Sequence, residues 1–272
     1  MSWLVERFRK IDPRWFVLIN NGILLLAGRQ VLGLQRDPLQ IAGCLVTGAS
    51  VELLLARTTR KHTAARLGDR LLSSTVAGLS TLILLRSEYA WFYALAVAIA
   101  VVSKYLIIDG EGRHVFNPTA FAIVFLLSFF PGLIFVRPDQ FPTFVPILTM
   151  IIAFGLLATT RARRWAVSLG YYAVVFGAGL PLGRLLGFKP VWILGPELNS
   201  STLIFAAFLM TDPKTSPATP LQQLGFGGAI AAVHLYLRYQ QIPFSPFIAL
   251  FTVAVLRSLG RAAGPGRAKA AT

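Results

Sequence analysis

Apolar runs long enough to cross a bilayer recur along the whole chain, with only short polar connections between them. A stretch of about 18 or more apolar residues reads as a transmembrane helix. Ten candidates follow one another: 15–33, 38–56, 71–86, 89–108, 118–135, 144–160, 165–185, 198–211, 222–240 and 244–260. A water-soluble core explains one or two such runs and cannot explain ten. Charged residues make up 14% of the chain and hydrophobic ones 55%, whereas the charged share of soluble domains is about a quarter. The expected fold is therefore all-α: a polytopic membrane helix bundle of ten transmembrane helices in contact with the lipid bilayer. It forms a single transmembrane domain over residues 1–262, and residues 263–272 form a basic disordered tail.

The net charge of +15 raises the question of nucleic acid, and the placement of the charges answers it. Basic residues gather in short connections between apolar runs: ERFRKIDPR near the start, RTTRKHTAAR at 57–66, RARR at 161–164 and RAAGPGRAK near the end. This is the pattern of cytoplasmic loops in membrane proteins, and no soluble domain carries a nucleic-acid interface. With the N-terminus inside, 19 of the 26 Lys and Arg fall on the cytoplasmic side and 7 outside. An even number of spans returns the C-terminus to the same side. The expected topology has both termini cytoplasmic, and no nucleic-acid partner. The one cysteine, Cys44, sits inside an apolar run and reads as a small buried side chain, which leaves no intrachain disulfide. No small-residue cleavage pattern follows the first apolar run, so no cleavable signal peptide is expected.

Two segments break the ordinary pattern. In DGEGRHVFNPTAFAIVFLLSFFPG, 109–132, two glycines and a charged cluster lead into Asn117-Pro118-Thr119 and a fresh apolar run. Pro at the first helical position behind an Asn cap is a helix start. In PELNSSTLIFAAFLMTDPKTSP, 196–217, the apolar core from Leu203 to Met210 is too short to cross about 30 Å of hydrocarbon. A short, polar-ended, Pro-flanked segment predicts a broken or half-helix whose free backbone ends line a site. Asn117 stands 14 residues before Pro131, and Asn199 stands 14 before Pro213. An inverted repeat and chance similarity both stay open, because a five-plus-five repeat pairs span three, not span five, with span eight.

Ionisable groups within the membrane are costly and call for a functional hypothesis. Here they are Glu52, Lys104, Asp212 and His234. Two of them also have ordinary readings: Glu52 is close in sequence to Arg57 and Arg60, and Lys104 is placed to snorkel to the interface. His234 has no His, Cys or carboxylate at ligand spacing and reads as a packed or interfacial histidine. The adjacent Asn20 and Asn21 should face the bundle interior, since lipid would leave their amides unbonded. The histidines His62, His114 and His234 are scattered, and neither a metal constellation, a nucleophile–base arrangement nor a phosphate loop is found.

GRHVFNPTAFAIVFLLSFFPG and STLIFAAFLMTDPKTSP resemble, in order and spacing, two segments of the RnfD and NqrB family. These are the family's Phe-Asn-Pro segment and its small-residue run ending in Thr-Asp-Pro. Glu52 followed by basic residues, and Lys104 shortly before the glycines, are weaker matches. The resemblance implies a membrane subunit of an ion-pumping, flavin-containing respiratory complex in a prokaryotic cytoplasmic (inner) membrane. Its partners would be other membrane or redox subunits, with electrons passed between them while Na⁺ or H⁺ crosses. The resemblance further implies a flavin, riboflavin or FMN, near Asn117, Pro118, Thr119, Ser201, Thr202, Thr211 and Asp212. An ion path would run past Glu52, Lys104 and Asp212.

One departure bears on the flavin. Family members carry a long loop after the Phe-Asn-Pro helix, with a Ser-Gly-Ala-Thr-like motif whose Thr takes FMN covalently. Here the connection runs only from Val136 to Thr143 and lacks the motif, so the flavin is expected to be non-covalent. The chain is similar to the short RnfD-like proteins found outside complete respiratory complexes. Ser216-Pro217-Ala218-Thr219 resembles the attachment motif, but Pro replaces Gly and the segment is cytoplasmic in this topology. Thr219 therefore reads as part of a Pro-rich turn rather than a covalent flavin site. The expected function is electron transport coupled to transmembrane ion transport. The alternatives are a solute or ion channel or transporter using the same bundle without redox chemistry, and an assembly scaffold.

Overall fold

Asn117 and Pro118 start a helix as the sequence predicts, in a computed structural model that describes residues 11–30, 36–58, 67–109, 112–136 and 144–263. Asn117 is extended, and its Oδ1 accepts a hydrogen bond from the Ala120 N–H at 3.1 Å. Pro118 takes the first helical position, where a missing N–H costs nothing. Asn199 caps a second helix in the same way, accepting from the Thr202 N–H at 2.8 Å.

The described residues form an all-α bundle in chain order: α1 (Arg14–Gln30), α2 (Pro38–Thr58), α3 (Leu67–Leu84), α4 (Trp91–Leu106) and α5 (Pro118–Phe129). Then follow α6 (Val145–Ala162), α7 (Trp165–Leu185), α8 (Pro190–Glu197), α9 (Ser200–Leu209), α10 (Pro220–Tyr239) and α11 (Ser245–Ala263). Two strands of two residues, β1 (Leu85–Arg86) and β2 (Phe135–Val136), pair antiparallel and tie the end of α3 to the end of α5. A single π-helical turn interrupts α7 at Val175–Gly179, and another ends α9 at Phe205–Leu209. Such turns often mark functional sites.

Polar contacts divide the helix ends between two faces. On one, Arg14 pairs with Asp69, Gln223 donates to the Arg163 carbonyl and Arg257 donates to the Thr215 carbonyl. On the other, Arg36 donates to the carbonyls of Leu82 and Leu85, and Arg238 donates to that of Ile193. One apolar core runs between the faces, with Leu24, Phe92, Val97, Ile123, Tyr171, Phe205 and Ile230 fully or nearly fully buried. Asn20 and Asn21 are 0% and 1% exposed, and Asn21 donates to Ser80 Oγ at 2.9 Å, so the pair does face the interior. Cys44 is buried and unbridged, as expected.

The outside presents many large apolar side chains, with Leu26, Leu54, Phe129, Leu156, Leu185, Trp192 and Leu221 widely exposed. Water disfavours so many exposed large side chains and lipid accepts them; this is the surface of an integral membrane protein. By length and composition α2, α6 and α7 are each able to span, and α8 with α9, bent by 53°, makes a fourth. The expected ten is not reached on that measure. Helices α1, α4 and α5 fall short in apolar length, while α3, α10 and α11 carry charged or amide side chains along their course.

The bent pair confirms the broken helix and corrects its limits. Residues 190–197, read as part of a loop, are helix α8, started by Pro190 at its first position. The break falls at Leu198 and Asn199, where the Asn side chain caps a new helix. Helices α7 and α10 touch backbone to backbone: a methyl group on Gly170 would meet the Leu224 carbonyl oxygen at 2.3 Å, and one on Gly227 the Val167 oxygen at 2.0 Å. His62, most of the basic loop at 57–66, the connection after Val136 and the tail beyond Ala263 lie outside the described residues.

Candidate functional site

Glu52 and Lys104 find each other. Lys104 Nζ lies 2.5 Å from Glu52 Oε2, Tyr105 donates to Glu52 Oε1 at 2.6 Å, and Ser73 Oγ is 3.4 Å from the ammonium. The ammonium does not snorkel: both side chains are about 5% exposed or less. Two buried charges hold each other, because each would be costly alone. Glu52 turns away from its sequence neighbour Arg57 toward α4, since α2 and α4 lie side by side.

The start of α5 meets the end of α9. Asn117 Nδ2 lies 3.4 Å from Asp212 Oδ2 and 3.4 Å from the Leu209 carbonyl oxygen. Asp212 Oδ1 accepts from the Lys214 N–H at 3.0 Å, and its carbonyl accepts from the Ser216 N–H at 2.9 Å. Thr-Asp-Pro-Lys-Thr-Ser thus folds into an Asx-type turn that closes α9. Burial raises the Asp212 carboxyl above its ordinary value, and the Lys214 N–H and charge offset this only in part.

These groups line one cavity of about 600 Å³. Glu52, Ser73, Lys104 and Tyr105 form one part of its wall, and Pro118, Thr119, Phe208, Leu209 and Asp212 another. It reaches Ser80, the residue that binds Asn21. Asp12, Arg14 and Asp69 also line it, with Arg14 Nη2 at 2.5 Å from Asp12 Oδ2 and 3.2 Å from Asp69 Oδ1. Burial works to raise the Asp12 carboxyl, but the Arg14 hydrogen bonds and charge outweigh it and hold the group below its ordinary value. The lining contains four acids (Asp12, Glu52, Asp69, Asp212) and four strong bases (Arg14, Arg70, Lys104, Lys214).

The residues grouped by resemblance are not all in one place. Asn117 sits at the Asp212 end, where Pro118, Thr119 and Asp212 line the cavity. Thr211 is buried and donates back to the Ala207 carbonyl. Ser201 and Thr202 lie at the opposite end of α9, roughly 15 Å away along the helix, and Thr202 Oγ1 donates to the Pro196 carbonyl at 2.8 Å. Thr219 is exposed at the N-terminus of α10, next to a turn whose carbonyls at Pro217 and Ala218 accept from Gln223. Ser73, Tyr105 and Asp69 were missed, though Tyr105 directly follows Lys104.

His234 is not isolated. Its Nε2 lies 2.7 Å from Glu197 Oε1, Arg238 Nη1 is also 2.7 Å from that oxygen, and Tyr171 donates to Oε2 at 2.9 Å. Glu197 stands 37 residues before His234, a separation that no ligand-spacing rule reads. The cluster lies at the break between α8 and α9, away from the Asp212 cavity.

No curated protein matches the chain. A family model described as the NQR2, RnfD, RnfE family matches residues 13–147, the stretch from α1 through α5 that supplies Glu52, Lys104 and Asn117, and over that stretch the chain is RnfD/NqrB-like.

Proposed function

We propose that the chain is a membrane subunit of an ion-translocating electron-transport complex, docked to other membrane or redox subunits, and that its Asp212 cavity holds a flavin non-covalently. The observation that carries this is the convergence of Glu52, Lys104, the capped start of α5 and Asp212 on a single cavity. Its volume of about 600 Å³ falls in the range of about 300–1,000 Å³ usual for cofactor sites. Tyr105 and Phe208 offer ring faces, and Arg14 and Lys214 offer cations for a phosphate. A flavin bound there would accept and pass on electrons.

The chain's own residues supply the coupling. Negative charge arriving in a partly buried site draws a cation to balance it. Asp212 and Asp69 stand in the cavity to take that cation, while the Glu52–Lys104 pair is already neutral as a unit. Arg14, Arg70, Arg161, Arg163, Arg164, Lys214, Arg257 and Arg261 belong to helix ends and turns of the Asp212 face. Arg36, Arg86, Arg184, Lys189 and Arg238 belong to the other. The excess supports a cytoplasmic Asp212 face with both termini inside, in a prokaryotic inner membrane.

The test is an absorbance spectrum of the purified chain, followed by in-gel fluorescence after denaturation. Yellow protein that releases its flavin on denaturation is the expected result. Fluorescence that stays with the denatured band would move the site to Thr219. Colourless protein, made with flavin and partner subunits present, would overturn the redox reading in favour of a channel or transporter, which the bent α8–α9 span suits equally.

A further inference from the structure

Glu197 is 1% exposed and His234 3%, and their geometry fixes where the hydrogens are. A carboxylate has only lone pairs to offer. The His234 Nε2 at 2.7 Å from Glu197 Oε1 must therefore carry hydrogen. In neutral imidazole the other nitrogen is then a bare acceptor. That nitrogen, Nδ1, is buried, and no donor among the described residues reaches it. A buried acceptor without a donor is unfavourable, and Gln at this position could donate to Glu197 without leaving an idle base.

The groups around the ring come from three helices. Glu197 is contributed by α8, Tyr171 and Tyr172 by α7, and Arg238 by α10 itself, one turn beyond His234. Tyr171 stacks on the imidazole at 6.0 Å between ring centres. The π turn of α7 holds no ionisable residue, Arg184 beyond it is exposed, and α11 brings Arg257 and Arg261 only at its far end. With neutral His234, the Glu197 carboxylate and the Arg238 guanidinium cancel.

We infer that His234 of α10 is a proton-binding site beside the bent α8–α9 span, taking up and giving back one proton at Nδ1. Uptake forms one N–H bond with a proton drawn from water, and the imidazolium stays bonded to Glu197 through Nε2. The cluster charge goes from zero to +1. Arg238 carries the cluster to the face opposite Asp212, where its side chain is 26% exposed. The imidazolium and Arg238 then share Glu197 Oε1. Arg238 also holds the Ile193 and Trp192 carbonyls of α8, so the charged ring adds a second cation of α10 to the carboxylate of α8. The proton site is independent of the flavin reading and is tested without any cofactor.

The experiment is nitrogen NMR of the full chain in lipid nanodiscs, labelled at histidine, in a His62→Gln/His114→Gln background. Between acidic and alkaline buffer, Nδ1 should pass from protonated to unprotonated while Nε2 stays protonated. An Nδ1 that keeps one state throughout, or an unprotonated Nε2, overturns the proposal. Glu197→Gln should weaken proton uptake by about tenfold or more, the usual effect of removing an adjacent opposite charge. Arg238→Gln, which keeps the carboxylate and removes the competing cation, should strengthen it. An unchanged midpoint in the folded variants would mean that Glu197 and Arg238 do not govern His234, and the site as proposed falls.

Discussion

Lys104 Nζ lies 2.5 Å from Glu52 Oε2, joining α2 to α4 through a pair whose side chains are 5% and 4% exposed. Replacing one partner strands the other in low dielectric, at a cost of about 3–5 kcal/mol. Glu52→Gln and Lys104→Met should each lower the unfolding temperature sharply, and the double variant should recover most of the loss. Additive losses in a thermal-unfolding cycle would show that the two residues act separately.

Asn117 has two tasks, which charge can separate. Asp at 117 keeps the cap, because its carboxylate still accepts from the Ala120 N–H, but it faces Asp212 with a like charge. Asn117→Ala should cost about 1 kcal/mol for the cap. Asn117→Asp should be destabilised at neutral pH and rescued by Asp212→Asn. Equal stability of the Asn117→Asp protein with and without the second change would remove the Asn117–Asp212 contact from the argument.

Asp212 sets a pH dependence whose sign follows from its burial. Its carboxyl is raised in the fold relative to about 3.9 in an unfolded chain. The folded state then binds the proton more tightly, and stability from this group is lost as pH rises from the unfolded value through the raised one. Asp212→Asn should therefore flatten the stability profile on the acid side of neutrality. Parallel profiles for the two proteins across that range would contradict the assignment.

Gly227 and Gly225 sit on the same helix with opposite surroundings. A methyl group at Gly227 would collide with the Val167 carbonyl oxygen at 2.0 Å, whereas one at Gly225 meets nothing within 4 Å. Gly227→Ala should destabilise by about 1–3 kcal/mol, as overpacking does. Gly225→Ala should be neutral, or stabilising by up to about 1 kcal/mol through helix propensity. Chemical denaturation of the two proteins side by side checks the contrast.

Arg238 fastens α8 to α10 by its bonds to Glu197 and the Ile193 carbonyl. Arg238→Gln should speed backbone hydrogen exchange over 190–197 and leave α7 near Gly170 unchanged. Slow exchange throughout α8 in that variant would show that other contacts hold the helix.

Helix starts, the membrane character and a broken helix within 196–217 were legible in the sequence because they depend on local chemistry. Asn117 and Asn199 cap helices through N–H groups only three residues ahead, and the apolar runs need no partner to announce lipid. The Asp212 turn is likewise closed by residues two to four positions on. Partnerships between charges were not legible. Glu52 and Lys104 are 52 residues apart, and Glu197 and His234 are 37 apart. A buried charge is satisfied by whichever helix packs beside it, and that choice belongs to the packing of α2 on α4 and the approach of α8 to α10. The sequence named which residues were costly to bury; only the tertiary structure decided what each was buried against.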